Sequence, residues 1–253
     1  MIDFEQRGRV AVLTINRPEA RNAVNGEVAS GLEAAVDRLE QDGDLWIGVL
    51  TGAGPTFSAG ADLKAIASGQ AAALNTKKGF AGITQYERTK PIIAAVNGPA
   101  LAGGCEIALA CDLIVASSEA RFGLPEVKRS LAAAAGGLFR LPQVLPPRIA
   151  LELIMTGDPI DAERAYQLGM INRLTEPGKA VDVAVELAET ICKAAPLAVR
   201  ESRKVALKSM QLTNEQELWG MSAQAFGALA QTEDFAEGPR AFIEKREPQW
   251  KAR

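Results

Sequence analysis

An α/β core over residues 1–157, followed by a helical C-terminal part over residues 158–253, is the fold class the sequence predicts. Three observations predict it. Short apolar runs of strand length alternate with helix-spaced apolar residues through the first half of the chain. Glycine-rich loops follow several of those runs. After Gly157 the apolar residues fall almost wholly at helical spacing, and no linker or internal repeat marks the change.

Val10–Ile15 reads as a strand, ended by the turn residues Asn16, Arg17 and Pro18. Val28, Leu32, Ala35, Val36 and Leu39 recur at helical spacing and predict an amphipathic helix over Gly26–Gln41, closed by Asp42-Gly43. Trp46–Thr51 is a second strand, and a helix is expected from Asp62 onward. Ile92–Val96 is apolar without alternation, as in a strand buried on both faces. The glycine loop Asn97–Gly104 then feeds a small-residue helix, Cys105–Ala110. Asp112–Ala116 is another strand, and Phe122–Glu126 reads as a turn. Helices are expected over Asp161–Leu168, Ala180–Ile191, Pro196–Met210, Glu215–Leu229 and Pro239–Arg246.

Composition narrows the chemistry. The 253 residues are 47% hydrophobic and 23% charged with a net charge of −3, ordinary for a globular protein and unsuited to capturing nucleic acid or an anionic membrane. No run of roughly 18 apolar residues predicts a membrane span. The start, Met1-Ile2-Asp3-Phe4, does not read as a secretory signal, so a cytoplasmic protein is expected. Three cysteines, Cys105, Cys111 and Cys192, make no disulfide framework and fit no zinc motif. The chain contains no histidine, which removes the usual general base, the usual serine-hydrolase partner and the usual metal ligand. Acid–base work near neutral pH then falls to carboxylates, lysines, cysteines or tyrosines, and no metal site is expected.

Three segments carry chemical potential: Phe57–Lys64; Gly98–Glu106; and Phe122–Glu126 followed by Gly136–Pro142. The second reads as strand, glycine loop and helix start. Free amides at such a start point outward with partial positive charge and can seat an anion or a polarised carbonyl oxygen. Taken singly, each feature has a plain structural reading: Glu106 as an acid in a first helical turn, Asp62 as a helix cap, Glu126 beside a proline-started turn, Gly136-Gly137 as a tight turn. Competing motifs fail: Phe57 replaces the third glycine of a dinucleotide fingerprint, and Thr56 replaces the first glycine of a nucleophile elbow.

In this order, the three segments resemble the crotonase family, the enoyl-CoA hydratase/isomerase group. The likeness runs the length of the chain through Asn16-Arg17-Pro18, Arg21-Asn22-Ala23, Met155-Thr156-Gly157, Ala162–Asn172 and Gly238–Arg246. The resemblance implies a spiral of ββα units with a helical C-terminal trimerisation domain, and assembly as a homotrimer or homohexamer. It matches the backbone amides of Ala61 and Gly103 to an oxyanion hole, and Glu106 and Glu126 to the two glutamates of the hydratases. Glu106 would deprotonate water and Glu126 would protonate the α-carbon. Arg21, Ala59, Ala61, Asp62, Leu63 and Lys64 match positions that meet coenzyme A. The implied substrate is an acyl-CoA, with coenzyme A part of the substrate and no separate cofactor. Hydration of a 2-enoyl-CoA is the first expectation; a double-bond isomerase, a thioester hydrolase and a non-catalytic acyl-CoA binding subunit are the alternatives. Ser130 and Ala133 depart from the glycine and proline usual in that family, so Leu131–Ala135 replaces a typical rigid turn.

Overall fold

A computed structural model describes residues 1–210 and 214–253. The chain opens with β1 (Ile2–Arg7), paired antiparallel with β2 (Val10–Ile15). The sequence reading contained β2 but not β1. In β1 only Ile2 and Phe4 lean on the core, between charged Asp3 and Glu5, so it has no apolar run to find. Next comes α1 (Gly26–Gln41), with the bounds the periodicity predicted. The Asn25 side chain caps it by accepting the Val28 N–H at 2.9 Å, and Val28, Leu32, Val36 and Leu39 are fully buried.

β3 (Ile47–Gly52) leads through a loop to the short α2 (Leu63–Ala67) and to a small hairpin of β4 (Asn75–Thr76) and β5 (Gly79–Phe80). β6 (Ile92–Val96) and β7 (Ala100–Leu101) precede α3 (Gly103–Ala110), β8 (Leu113–Ser117) and β9 (Arg121–Gly123). Then follow α4 (Gly137–Val144) and α5 (Pro147–Thr156), neither of which the sequence reading contained. Gly136-Gly137, read as a tight turn, is instead a left-handed residue at the start of α4, and Pro142 sits inside that helix.

Beyond Gly157 lie β10 (Ile160–Asp161), α6 (Ala162–Gln167), β11 (Arg173–Thr175), α7 (Ala180–Cys192), α8 (Pro196–Ser209), α9 (Glu215–Leu229) and α10 (Glu233–Glu244). The last helix begins well before the expected Pro239, because Thr232 caps it by accepting the Phe235 N–H at 3.2 Å. Two strands in this part also went unread: β10 pairs with β9, and β11 pairs with β8.

The main sheet has strand order β1-β2-β3-β6-β8-β11 and is parallel apart from β1. One face carries Leu13, Leu50, Ile92 and Ala94 into a large core with α1; the other carries Val12, Val49 and Ile93 against Ala184, Val185 and Ala188 of α7. Burial on both faces explains the unbroken apolar runs of β3 and β6. Among the described residues no helix is long and apolar enough to cross a membrane. The carboxyl ends of β2, β3 and β6 open into the segments around Arg21, Ala59 and Ala102, the place where open parallel sheets hold their ligands.

Candidate active site

The three loops are laced together through their backbones. Asn22 is fully buried at φ 53°; its side chain accepts the Arg17 N–H at 2.9 Å and donates to the carbonyls of Ala53 and Thr56. The Ser58 hydroxyl donates to the Asn22 carbonyl, and the Ala59 N–H to that of Arg21. The amides of Phe57 and Ser58 reach the Pro99 carbonyl, and Leu101 donates back to Ser58. Gly104 fits because a β-carbon there would lie 2.1 Å from the Ser58 carbonyl oxygen.

This lacing presents two amides. Val24 donates to the Gly60 carbonyl at 2.7 Å and accepts from Asp62 at 2.9 Å, which leaves the Ala61 N–H between them without an acceptor. Gly103 is the first residue of α3, so its N–H has no partner within the helix. Ala102 before it takes φ 53° and ψ −131°, a conformation alanine rarely adopts, and is pinned by its own N–H to the Gly123 carbonyl at 2.9 Å. Strain of this kind costs about 1–3 kcal/mol and gathers at functional turns. Gly60, at φ +85°, packs so closely that a β-carbon on it would sit 2.6 Å from the Gly103 nitrogen. Among the described residues neither the Ala61 nor the Gly103 N–H donates to the chain, and both residues line one cavity of about 930 Å³.

Two carboxylates line the same cavity. Glu106, in the first turn of α3, is 4% exposed, and its Oε1 accepts the Gly137 N–H at 2.9 Å. Burial pushes its pKa up, opposed by the amides of Gly137 and Ala135 and by the charge of Arg140. Arg140 is itself tied down, donating to the carbonyls of Thr84 at 2.6 Å and Ala135 at 3.2 Å. Glu126 lies on the short 3₁₀ turn Pro125–Arg129, which packs on α5. Its Oε2 is buried without a hydrogen-bond partner. Burial, reinforced by the charge of Glu106, pushes the Glu126 carboxyl up to about 7 against its own backbone amide and Arg129. One carboxylate is thus held by a helix-start amide and the other is unpaired and half neutral near pH 7, a pairing suited to separate base and acid work.

The expected coenzyme-binding residues Arg21, Ala59, Ala61, Asp62, Leu63 and Lys64 all line this cavity. Asp62 is largely committed elsewhere: it caps α2 through the amides of Lys64 at 2.9 Å and Ala65 at 3.4 Å, and pairs with Arg17 at 2.5 Å, which lowers its pKa. Its structural reading therefore holds as well. Leu63 and Ile66 are 55% and 38% exposed and give the wall an apolar strip. Arg21 and Lys64 make no ion pair among the described residues. Sequence reasoning read Gly137, the partner of Glu106, only as part of a tight turn, and gave no individual role to the strained Ala102 or to Arg129. The family departure at Ser130 falls on a left-handed residue, φ 57°, the conformation that glycine favours.

A largely parallel sheet whose strand ends converge on two free amides, the buried Glu106 and the half-buried Glu126 defines the site architecture of the chain's enzyme family. The chain belongs to the enoyl-CoA hydratase/isomerase, or crotonase, family, which it matches over residues 5–253. It is 39% identical over 252 residues to a carnitinyl-CoA dehydratase of Salmonella arizonae, covering 97% of this chain and 96% of that one. Among solved structures it resembles an enoyl-CoA hydratase from Mycobacterium tuberculosis, with 45% identity, a TM-score of 0.96, and coverage of 100% and 99% of the two chains. It also resembles a carnitinyl-CoA hydratase from Mycobacterium avium, with 46% identity, a TM-score of 0.78, and coverage of 100% and 98%. The fold is the crotonase fold.

Proposed function

We propose that this protein reversibly hydrates a 2-enoyl-CoA to a 3-hydroxyacyl-CoA. One observation carries this reading: two carboxylates in unlike environments share a cavity with two amides that lack acceptors. The thioester oxygen accepts the Ala61 and Gly103 N–H groups, which stabilise the negative charge that builds on it; one such donor is typically worth about 3–4 kcal/mol in the transition state. Glu106, ionised, takes a proton from water as the water oxygen bonds to the β-carbon. Glu126, protonated, gives its proton to the α-carbon. The dehydration direction runs the same steps backwards with the two protonation states exchanged. Arg21, Lys64 and the apolar Leu63 contact coenzyme A, which enters and leaves as part of the substrate. No step is routed through a metal or redox cofactor.

The relatives called carnitinyl-CoA dehydratase and hydratase favour a second reading within the same chemistry, in which the acyl group carries a quaternary ammonium. The test is incubation with 2-enoyl-CoAs of graded length and product analysis by mass. Gain of one water with the thioester intact is expected. A double-bond shift without mass change, or release of free coenzyme A, would show isomerase or hydrolase activity in its place.

A further inference from the structure

The turn that carries Glu126 also carries an arginine the proposed chemistry does not use. In a 3₁₀ helix residues three apart eclipse one another, so Arg129 stands on the face of Pro125–Arg129 that bears Glu126. Both line the cavity. Its neighbour Lys128 is committed to Asp158 at 2.5 Å outside the cavity, whereas Arg129 has no ion pair or side-chain hydrogen bond among the described residues. Arg129 stands on a different segment from the cations expected to meet coenzyme A: the Arg21 carbonyl accepts the Ala59 N–H, and Lys64 lies in the first turn of α2. On its other side the chain continues as Leu131, Ala132, Ala134 and Ala135, small or apolar cavity residues that leave a side chain room to enter. Of the other carboxylates that line the cavity, Asp62 is paired with Arg17 and Glu106 holds the Gly137 amide, while Glu19 is solvent-exposed and approaches Arg17 only at 3.9 Å. Among the described residues, Phe80 is the single aromatic residue of the wall. Such a wall offers a quaternary ammonium no aromatic cage, and its one unpaired acid, Glu126, must be protonated for the proposed hydration; to an anion the wall offers a planar cationic fork.

We propose that Arg129 makes this site selective for enoyl-CoA substrates whose acyl chain ends in a carboxylate. This rests on the hydratase function for its reaction but not for its binding.

The experiment compares three 2-enoyl-CoAs of matched length ending in a methyl, a carboxylate or a trimethylammonium group, using the full chain and folded Arg129→Gln and Arg129→Lys variants. We expect kcat/KM to fall in the order carboxylate, methyl, trimethylammonium, with the carboxylate favoured over the methyl by about ten- to a hundredfold. Arg129→Gln collapses that ratio towards one, and Arg129→Lys restores part of it, because lysine keeps the charge but not the fork. Equal rates for carboxylate and methyl substrates, or preference for the trimethylammonium, overturn the proposal. So does an equal loss on all three in Arg129→Gln, which would assign the arginine to the coenzyme. Calorimetric binding of the corresponding saturated acyl-CoAs asks the same question without turnover. Tighter binding of the carboxylate through Arg129 with no hydration would sink the reaction and keep the selectivity; equal binding sinks the selectivity alone.

Discussion

Glu126 is the residue whose environment sets the pH behaviour. The proposed hydration requires Glu106 ionised and Glu126 protonated. With the Glu126 carboxyl at about 7, hydration is expected to decline as pH rises through about 7, and to decline on the acid side as Glu106 takes up a proton. Dehydration should lose the limb at Glu126 from the other direction, as acid protonates it. The same shift is a stability statement. The folded value lies above the ordinary 4.5, so between 4.5 and about 7 the folded chain binds more protons than the unfolded one. Stability from this group is full below 4.5 and is lost as pH rises through about 7. Melting temperature measured against pH should therefore fall in the wild type relative to Glu126→Gln across that window, and parallel curves would contradict the buried, unpaired carboxyl. Both glutamates of the candidate site were legible in the sequence, because they stand in motifs of recognised order and the absence of histidine leaves carboxylates among the few groups able to do acid–base work. The inequality between them was not. It depends on the Gly137 amide reaching Glu106 across the fold and on no partner reaching the Glu126 Oε2.

Elements were legible where one local signal decided them. α1 and β6 have the predicted bounds, since an asparagine cap with an apolar stripe, and an apolar run between a proline and an asparagine, admit few other readings. β3 and β8 begin one residue later than expected. α4 was not legible because two glycines at its start and Pro142 within it are turn signals, and tertiary packing overrides them: Gly137 sits against Leu124 and Ala133 and donates to Glu106. Nothing in the sequence could show that Ala102 would bear the strain that aims Gly103. The 3₁₀ turn of Glu126 ends at Ser130, whose φ of 57° serine adopts at a cost. Ser130→Gly is expected to stabilise the folded chain by about 0.5–1 kcal/mol, read from denaturant midpoints. Ser130→Val should lower both stability and turnover, as a β-branched residue resists that conformation and the turn positions Glu126. Unchanged midpoints in both variants would show that the turn tolerates either backbone.

At the scale of the molecule, the C-terminal helices have more apolar surface than their own chain covers. α9 buries no residue and leaves Trp219 and Phe226 about two-thirds exposed, while Phe242 and Ile243 of α10 are 84% and 78% exposed. Patches of that kind mark interfaces, and we propose that further copies of this chain cover them in a trimer or hexamer. Light scattering at micromolar concentration should report a multiple of three chains; a monomer would leave these faces unexplained. α10 is held for such a role by its own tail. Glu237 takes Arg246 and the Gln249 amide, and Asp234 takes the amides of Lys251 and Ala252.

The most direct test of the two-glutamate site is the hydration rate of a short 2-enoyl-CoA by the wild type, Glu106→Gln, Glu126→Gln and the double variant, each shown to be folded. Positioned acid–base groups contribute about 10²–10⁴-fold, and residues that act as one unit are not additive. Each single variant should therefore lose rate within that range with little change in substrate binding, and the double variant should be scarcely worse than the poorer single. A Glu106→Gln variant that hydrates at the wild-type rate, or one that shifts a 3-enoyl to a 2-enoyl thioester at full rate while Glu126→Gln cannot, would contradict the hydratase function.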